Sequence, residues 1–442
     1  MDVEILARIQ FALTTGFHFI FPPLSIGLSV LLVIMKWKAL KEKDGFYDKM
    51  ADFWLKIFAL TFSVGVATGI VLEFEFGTNW ATYSRYVGDI FGSPLAAEGL
   101  FAFFLESTFL GVLLFGKNRV SKRTHFIAAL MVTIGATMSA FWIIVANSWM
   151  QTPAGFQIVG EGLNARAEIV DFWAMVWNPS TIDRFTHVIG GSWLTGAFFG
   201  LSLSAYYLVK NQHVEFAKSS FRISLALAVL ASLFQLGTGH ASAIGVSQNQ
   251  PVKLAAFEGQ FETGPGDLYL FGWVDAEDKE TKGIAIPGML SYMVAFDTQH
   301  ELIGLNDVPE DLQPPLQITF QSYHLMVAVG MTMIGMALLA LFLLWRKKLF
   351  TSKLVLMLFI PSFILPQIGN LTGWTAAEVG RQPWVVHNVL RTSDALSKVV
   401  SADQIVFSII LFSVIYTILM ALFIFLMSKK IKAGPEPVIT EG

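Results

Sequence analysis

Nine long apolar segments restrict the possible folds of this chain more than any other feature of its sequence. A helix needs about 20 apolar residues to cross the hydrocarbon core of a bilayer, and stretches of that length recur from end to end. Lipid offers the backbone no hydrogen-bond partner, so each stretch is predicted to be helical. The predicted spans are residues 9–35, 54–76, 95–116, 126–149, 185–209, 221–239, 322–345, 354–373 and 404–427.

Composition agrees with lipid as the main solvent of the chain. Apolar residues make up 54% and charged residues 14% of the sequence, against about 45–50% and about 25% in soluble domains. The predicted class is therefore an all-α integral membrane protein. A net charge of -3, with its basic residues in short connections, lacks the basic face of a nucleic-acid-binding protein. The absence of cysteine excludes disulfides, iron–sulfur clusters and C-x-x-C-H haem attachment, so a redox metal would need His, Met or carboxylate ligands.

The distribution of Lys and Arg predicts how the spans are oriented. Basic residues are concentrated in alternate connections, and by the positive-inside rule these connections are cytoplasmic. The N-terminus is then outside and the C-terminus is cytoplasmic, which an odd number of spans requires. The basic stretches are residues 36–49, 117–123, 210–218, 346–348 and 429–432.

The chain is predicted to be a single membrane domain, 1–442, with one long connection at 241–321 between the sixth and seventh helices. Its Gly, Pro and acidic residues indicate a folded surface loop on the extracytoplasmic side that shapes a binding site. The N-terminus carries Asp2 and Glu4 and lacks a basic n-region, so the first span is predicted to be a retained helix rather than a signal peptide.

Several ionisable residues fall inside predicted spans, where such groups are costly and usually mark cofactor or proton sites. His18 lies in the first span, one turn before Pro22 and Pro23, which are expected to bend the helix. It is either a cofactor ligand or a hydrogen-bonded core residue. Glu98 and Glu106 lie about 12 Å apart along an uninterrupted third helix and have no basic neighbour in sequence. They relay protons or form one inter-helix hydrogen bond.

His187 and Met326 are predicted to lie at one depth in the membrane. The fifth and seventh helices both enter from outside, and each carries its residue near that end. A His and a Met facing each other across a bundle can hold the iron of a six-coordinate haem. Met is also a common core residue, so these two residues alone are a weak signal.

Two short motifs add polar residues at the extracytoplasmic boundary. In GWTAAEVGRQPW, Glu378 is a candidate metal ligand, with Arg381 pairing either with it or with a haem propionate. Trp374 of the same motif is an interfacial anchor or part of the cofactor pocket. In QPVKLAAFE, Lys253 and Glu258 form either a solvated ion pair or a site that accepts protons from a quinol.

Taken together, these motifs resemble subunit I of the cytochrome bd quinol oxidases, and the match covers most of the chain. The runs that carry the resemblance are RIQFALTTGFHFIFPP, GVATGIVLEFEFGTNW, GDIFGSPLAAEGLFAFFLEST, SAFWIIVANSWMQ, QPVKLAAFE and GWTAAEVGRQPW. The compact connection after QPVKLAAFE is similar to the short-loop branch of the family. One departure is His324, which stands two residues before Met326, where the family often has Arg.

The resemblance implies the roles of individual residues. His187 and Met326 would ligate a low-spin b haem, His18 and Glu378 the irons of two high-spin haems, and Lys253 and Glu258 would bind quinol. The cofactors would be two b-type haems plus haem d or a third b haem. The side chains implied to line the high-spin pair or its proton supply are Glu73, Glu98, Glu106, Ser107 and Ser139.

The resemblance also implies the reaction and the partners. Quinol, either ubiquinol or menaquinol, would be oxidised outside and dioxygen reduced to water, in a bacterial plasma membrane and together with a second subunit and a small single-helix subunit. A proton-coupled transporter, a haem–copper oxidase and a haem-bearing dehydrogenase anchor are the alternatives. No internal repeat of the transporter kind and no His-His pair for copper occur in the sequence. The remaining histidines, His125, His213, His240, His300 and His387, fall in connections or at helix ends, where solvated roles are predicted.

Overall fold

The computed structural model describes residues 2–42, 44–117 and 119–436, so residues 437–442 of the predicted membrane domain lie outside it. The described chain is predominantly helical, with four small antiparallel two-stranded sheets in its connections. The α-helices are α1 (Val3–His18), α2 (Phe21–Lys41), α3 (Phe46–Thr78), α4 (Ala81–Tyr86), α5 (Gly88–Ala97), α6 (Phe104–Phe115), α7 (Lys122–Gln151), α8 (Phe172–Val176), α9 (Thr181–Val209), α10 (Val214–Asn249), α11 (Pro251–Glu258), α12 (Met289–Ala295), α13 (Leu316–Trp345), α14 (Lys353–Phe359), α15 (Ile364–Val379) and α16 (Ala402–Ala433). The strands are β1 (Phe156–Val159), β2 (Arg166–Ile169), β3 (Gly264–Pro265), β4 (Leu268–Asp275), β5 (Glu280–Ile286), β6 (Glu301–Leu302), β7 (Trp384–Val386) and β8 (Leu390–Arg391).

Nine helical segments within the described ranges are long and apolar enough to cross a membrane, as predicted. The first span consists of α1 and α2 with a break at Phe19 and Ile20, and Pro22 and Pro23 occupy the first turn of α2. Proline is tolerated there because the first helical N–H groups have no intrahelical acceptor in any case. The predicted bend after His18 is therefore confirmed.

The third span is not the uninterrupted α-helix that the sequence predicts. Between α5 and α6 the chain forms a π-helix at Glu98–Phe103, whose wider turn changes the angle between side chains on either side of it. The spacing of Glu98 and Glu106 along a regular α-helix therefore does not apply. Hydropathy cannot reveal such a turn, because α- and π-helices need the same apolar composition.

The long connection is shorter than the predicted 241–321. Helix α10 continues to Asn249 and α13 begins at Leu316. The 36 residues of α10 would extend about 54 Å at the α-helical rise, well beyond a hydrocarbon core of about 30 Å. A hydropathy window detects only the portion in lipid. Between these helices lie α11, the hairpin β4–β5, α12 and the small sheet β3–β6.

Contacts between connections define the two ends of the bundle. On one end, here called the loop side, Lys253 of α11 donates a hydrogen bond to Gln151 at the end of α7. On the opposite side, Lys117 pairs with Asp52 near the start of α3, and the Tyr207 hydroxyl donates to the Ile431 carbonyl at 2.6 Å. The Lys-rich connections thus meet at the end away from the loop.

Four helices form a closed ring that positions much of the candidate site. Helix α9 packs on α10, α10 on α13, α13 on α15 and α15 on α9. Helices α9 and α13 therefore face each other across the ring. On its other face α9 packs tightly on α2, where a Cβ atom at Gly27 would lie 2.3 Å from the Ser192 carbonyl oxygen. Only glycine permits this approach, which holds α9 in place.

Candidate functional site

His187 and Met326 lie on the two facing helices of the ring. The Nδ1 atom of His187 lies 3.3 Å from the Thr238 hydroxyl, and its Nε2 atom lies 3.1 Å from the Gln235 amide nitrogen. Met326 faces α15, where a Cβ atom at Gly373 would lie 2.6 Å from its sulfur. The imidazole and the thioether are the donor set that a low-spin haem iron takes. Because α9 and α13 face each other across the ring, a haem between them would take one ligand from each helix.

His18 lies against α3, at a position made accessible by a glycine. Its Nδ1 atom lies 2.9 Å from the Thr68 hydroxyl. A Cβ atom added to Gly69 would lie 3.2 Å from the imidazole ring. Because glycine has no side chain, space remains beside His18. Trp374 is partly buried and stacks on Phe19, the residue after His18, with ring centroids 5.8 Å apart. Of the two interpretations of Trp374, this contact fits a wall of a cofactor pocket near His18.

Glu378 is the centre of a polar cluster that joins three spans, named here the Glu378 cluster. Its carboxylate accepts hydrogen bonds from Asn147 and Gln151 of α7, both at 3.1 Å. Arg381 donates to its second oxygen at 2.5 Å, and Arg184 of α9 lies 3.8 Å away. Two partners were predicted for Arg381, the Glu378 carboxylate and a haem propionate. In the described structure Arg381 binds the Glu378 carboxylate.

The Glu378 cluster carries more positive than negative charge. Arg184 and Arg381 oppose a single carboxylate, and Lys253 extends into the same region through its hydrogen bond to Gln151. The Nη1 atom of Arg381 and the Nε atom of Arg184 are buried without a hydrogen-bond partner among the described residues. Unpaired buried guanidinium nitrogens are costly. The propionate groups of a haem would supply the missing acceptors and charge.

Lys253 and Glu258 do not form the solvated ion pair that was one of the two interpretations. Both are buried, and five residues of helix place their side chains about 140° apart on α11. Lys253 faces the Glu378 cluster and donates to Gln250 at 2.6 Å. Burial, together with the charges of Arg184 and Arg381, holds the pKa of Lys253 well below its usual value.

Glu258 faces away from Lys253, toward the hairpin and α13. One carboxylate oxygen accepts a hydrogen bond from the Tyr269 N–H at 3.3 Å and lies 3.8 Å from Nε2 of His324. The Tyr323 hydroxyl is a further hydrogen-bond partner. Burial outweighs these contacts and raises the pKa of Glu258 to about 8. A carboxyl group of this kind exchanges protons near neutral pH.

His324, the departure from the family pattern, connects the loop with α13. Its Nδ1 atom lies 2.9 Å from the Phe320 carbonyl oxygen and its Nε2 atom 3.0 Å from the Tyr269 carbonyl oxygen. The imidazole stacks on the Phe320 ring at 3.9 Å between centroids. His324 therefore holds the strand whose Tyr269 N–H bonds to Glu258.

The acids of the third span both face α7. Glu98 accepts a hydrogen bond from the Ser139 hydroxyl at 2.7 Å. Glu106 is buried against α7. A Cβ atom added to Gly135 of α7 would lie 3.0 Å from the backbone nitrogen of Glu106. No hydrogen bond to the Glu106 carboxyl group occurs in the described part of the chain. The Ser107 hydroxyl donates instead to the Phe103 carbonyl of its own helix at 2.8 Å.

Several polar residues near these sites were not predicted. Arg184, Asn147 and Gln151 complete the Glu378 cluster, and Asn147 and Gln151 stand one helical turn apart in SAFWIIVANSWMQ, which is a usable signal. Glu75 is buried on α3, whereas the predicted Glu73 is exposed at the surface of the chain.

The prediction of solvated roles for the remaining histidines is wrong for His125. It is buried, and its Nε2 atom lies 2.9 Å from the Leu113 carbonyl oxygen, because α6 packs over this end of α7. His300, by contrast, is exposed as predicted.

Comparison with known proteins connects this arrangement to one family. The family model for cytochrome bd terminal oxidase subunit I matches residues 6–435. Cytochrome bd ubiquinol oxidase subunit 1 of Bacillus subtilis is 42% identical over 99% of this chain and 95% of that protein. Cytochrome bd-II ubiquinol oxidase subunit 1 of Escherichia coli is 34% identical over 100% of this chain and 98% of that protein.

A solved structure of the same kind has the same fold. The bd oxidase from Geobacillus thermodenitrificans superposes with a TM-score of 0.92 and 29% sequence identity, covering 98% of this chain and 99% of that one. The match therefore includes the loop elements as well as the membrane helices. The chain belongs to the cytochrome bd terminal oxidase subunit I family, whose members are quinol:oxygen oxidoreductases of bacterial membranes.

Proposed function

We propose that this chain is the haem-bearing subunit of a terminal oxidase that oxidises quinol at the extracytoplasmic face and reduces dioxygen to water. The observation that carries the proposal is the position of Glu258. This buried carboxyl group of the loop lies 3.8 Å from His324, two residues before the candidate haem ligand Met326 on α13. In this proposal Glu258 takes a proton from quinol. It lies next to the turn of α13 whose Met326 would hold the low-spin haem, the first electron acceptor.

The cofactors proposed are two b-type haems plus haem d or a third b haem, which would supply one-electron transfer and oxygen reduction. His187 and Met326 would hold the low-spin haem, and His18 and Glu378 the two high-spin haems. Arg381 and Arg184 would bind propionates through their unpaired nitrogens. Trp374 would form one wall of the cofactor pocket beside His18.

The orientation proposed places the loop side outside, with the N-terminus there and the C-terminus in the cytoplasm. The Lys-rich connections meet at the opposite end, which the positive-inside rule assigns to the cytoplasm. Protons from quinol would then be released outside. Protons for water would come from the cytoplasm past Glu106, Ser107, Ser139 and Glu98, so the reaction would contribute to the proton-motive force.

The partners proposed are ubiquinol or menaquinol, dioxygen, membrane lipid, a second oxidase subunit and a small single-helix subunit. Helix α16 is almost unburied within the chain, so its apolar surface is free to contact lipid and a partner subunit. Nothing in the distribution of charge favours nucleic acid.

Replacing Glu258 with Gln tests the proposed function directly. Glutamine keeps the shape and the bond from Tyr269 but cannot accept a proton, so quinol oxidation should fall by roughly a hundredfold or more. The parent rate should rise with pH through about 8, where the Glu258 carboxylate forms, and the variant should lose this rise. Steady-state oxygen consumption with quinol between pH 6 and pH 9 measures both effects.

Two controls accompany the Glu258 variant. Glu301→Gln removes an exposed carboxylate of the same loop and should retain the parent rate and pH profile. Oxygen reduction with an artificial one-electron donor should survive in Glu258→Gln. Equal loss with quinol and with the artificial donor would show that the variant is misfolded or that Glu258 does not serve quinol.

Replacing His324 with Ala is expected to weaken quinol binding more than turnover. The change frees the Tyr269 carbonyl and so loosens the strand that orients Glu258. The loss of this hydrogen bond and of the ring stack should raise the quinol KM several-fold, since each is worth about 1 kcal/mol. An unchanged KM with a lower kcat would place His324 in electron transfer instead.

A further inference from the structure

The hairpin β4–β5 has one face against the protein and an apolar face that the chain leaves uncovered. Gly272 and the side chain of Val274 are buried against the protein, while the side chains of Phe271 and Trp273 are 72% and 61% exposed. Ile284 pairs with Phe271 across the hairpin and is 64% exposed. An apolar patch of this kind marks a contact with a partner or with a membrane.

Three hydrogen bonds fix the height of the hairpin along α13. The Val274 N–H bonds to Gln317 at 3.0 Å, Gln321 donates to the Gly272 carbonyl at 2.8 Å, and His324 lies 3.0 Å from the Tyr269 carbonyl. Strand β4 thus runs antiparallel to α13 over two helical turns, about 10 Å of its length. Phe271 lies roughly midway, and the hairpin turn projects beyond the first residue of α13.

This height corresponds to the edge of the bilayer. Helix α13 has 30 residues, about 45 Å, so its ends extend past a hydrocarbon core of about 30 Å into the headgroup layers. Next to the hairpin on the same face of α13 are Leu325 and, farther from the loop, Met331, which is 54% exposed. The apolar face of the hairpin continues this lipid-facing strip toward the loop side.

The hairpin is apolar at the end nearer the membrane and becomes charged toward its turn. Its turn carries four acidic residues, and Lys282 is 2.8 Å from Glu280 and 3.1 Å from Asp275. The acidic residues lie beyond the end of α13, where water is expected, and Lys282, which stands opposite Trp273 on β5, directs its ammonium group toward them. The apolar residues lie nearer the membrane, with Trp273 between the two regions, as Trp commonly lies at an interface.

We propose that the apolar face of hairpin β4–β5, formed by Leu270, Phe271, Trp273, Ile284 and Ile286, is a membrane-binding surface that contacts the phospholipid leaflet on the loop side. The acidic turn at residues 275–280 remains in water. The hairpin therefore anchors the loop to the bilayer in addition to the spans on either side of it. The proposal does not depend on the assignment of the quinol site.

Fluorescence quenching of single labels tests this placement. Because the chain has no cysteine, Phe271→Cys and Glu277→Cys can each be labelled with bimane in the intact oxidase complex, with the parent complex as labelling background. The complexes are placed in nanodiscs of phosphatidylcholine with plain or brominated acyl chains. We expect brominated lipid to quench the label at 271 at least twofold more than at 277, and aqueous iodide to show the opposite preference.

Ile284→Cys is a second reporter, since Ile284 stands beside Phe271 on the neighbouring strand. Its label should follow the label at 271, and retained haem absorbance shows that each labelled complex is folded. Labels at 271 and 284 quenched by iodide as strongly as the label at 277 would place the face in water. Protection from both quenchers would mean that another subunit covers it. Either result overturns the proposal.

Discussion

Met326→Leu is expected to abolish the low-spin haem signal of the oxidase or to lower its midpoint potential. Leucine nearly preserves the volume of methionine beside Gly373, so the ring of α9, α10, α13 and α15 should stay packed. The thioether donor is lost, which should leave the iron with His187 alone. We expect the reduced low-spin band to disappear or its midpoint potential to fall, because methionine ligation raises haem potentials. Reduced-minus-oxidised spectra and a redox titration measure this.

The matched control is Met331→Leu, which makes the same substitution on α13 at a side chain that is 54% exposed. It should leave the spectrum and the potential unchanged. If Met326→Leu also retains both, Met326 is not an iron ligand. Loss of the high-spin signals together with the low-spin one would indicate a collapse of the fold rather than a local change of ligand.

Glu106→Gln should reduce turnover by roughly a hundredfold or more while haem content stays near that of the parent. Glu106 is buried against α7 at Gly135, and within the described residues its carboxyl group has no hydrogen-bond donor and no cation. Such a group favours the neutral form and can pass a proton on. Glutamine keeps the size and polarity but cannot cycle a proton. Oxygen consumption with excess quinol and a haem assay on the same preparation check the prediction.

Two further variants define what the Glu106 result means. Glu215→Gln neutralises an exposed carboxylate on α10 whose ion-pair partner among the described residues is Lys218, and it should leave turnover unchanged. Glu106→Asp retains an exchangeable proton and should recover part of the rate. Parent turnover in Glu106→Gln at full haem content would show that the route runs elsewhere.

The local elements of this fold follow from short stretches of sequence. Runs of about 20 apolar residues were sufficient to predict all nine spans. Proline at 22 and 23 was sufficient for the bend after His18. Alternation of Lys-rich connections predicted which connections lie together, and the hydrogen bond from Tyr207 to Ile431 at the end away from the loop agrees with it. Each of these properties is a sum over neighbouring residues, which is why the sequence alone contains it.

The polar sites depend on packing between distant segments. Asn147, Arg184 and Glu378 come from three different spans, and the sequence around each of them does not predict that the others lie nearby. The motif QPVKLAAFE indicated that both Lys253 and Glu258 are functional. It did not predict that Lys253 faces the Glu378 cluster while Glu258 faces the hairpin and α13. That separation follows from the way α11 is wedged between the end of α7 and the hairpin.

Tertiary structure alone also decided the environment of His324 and the π-helix at Glu98–Phe103. Sequence showed a histidine where the family often has arginine, and apolar residues around two acids. Whether a buried polar group finds a partner is determined by the segments that pack against it, and apolar composition does not distinguish a π-turn from an α-helix. The sequence by itself determined which segments enter the membrane, and packing decided which side chains meet there.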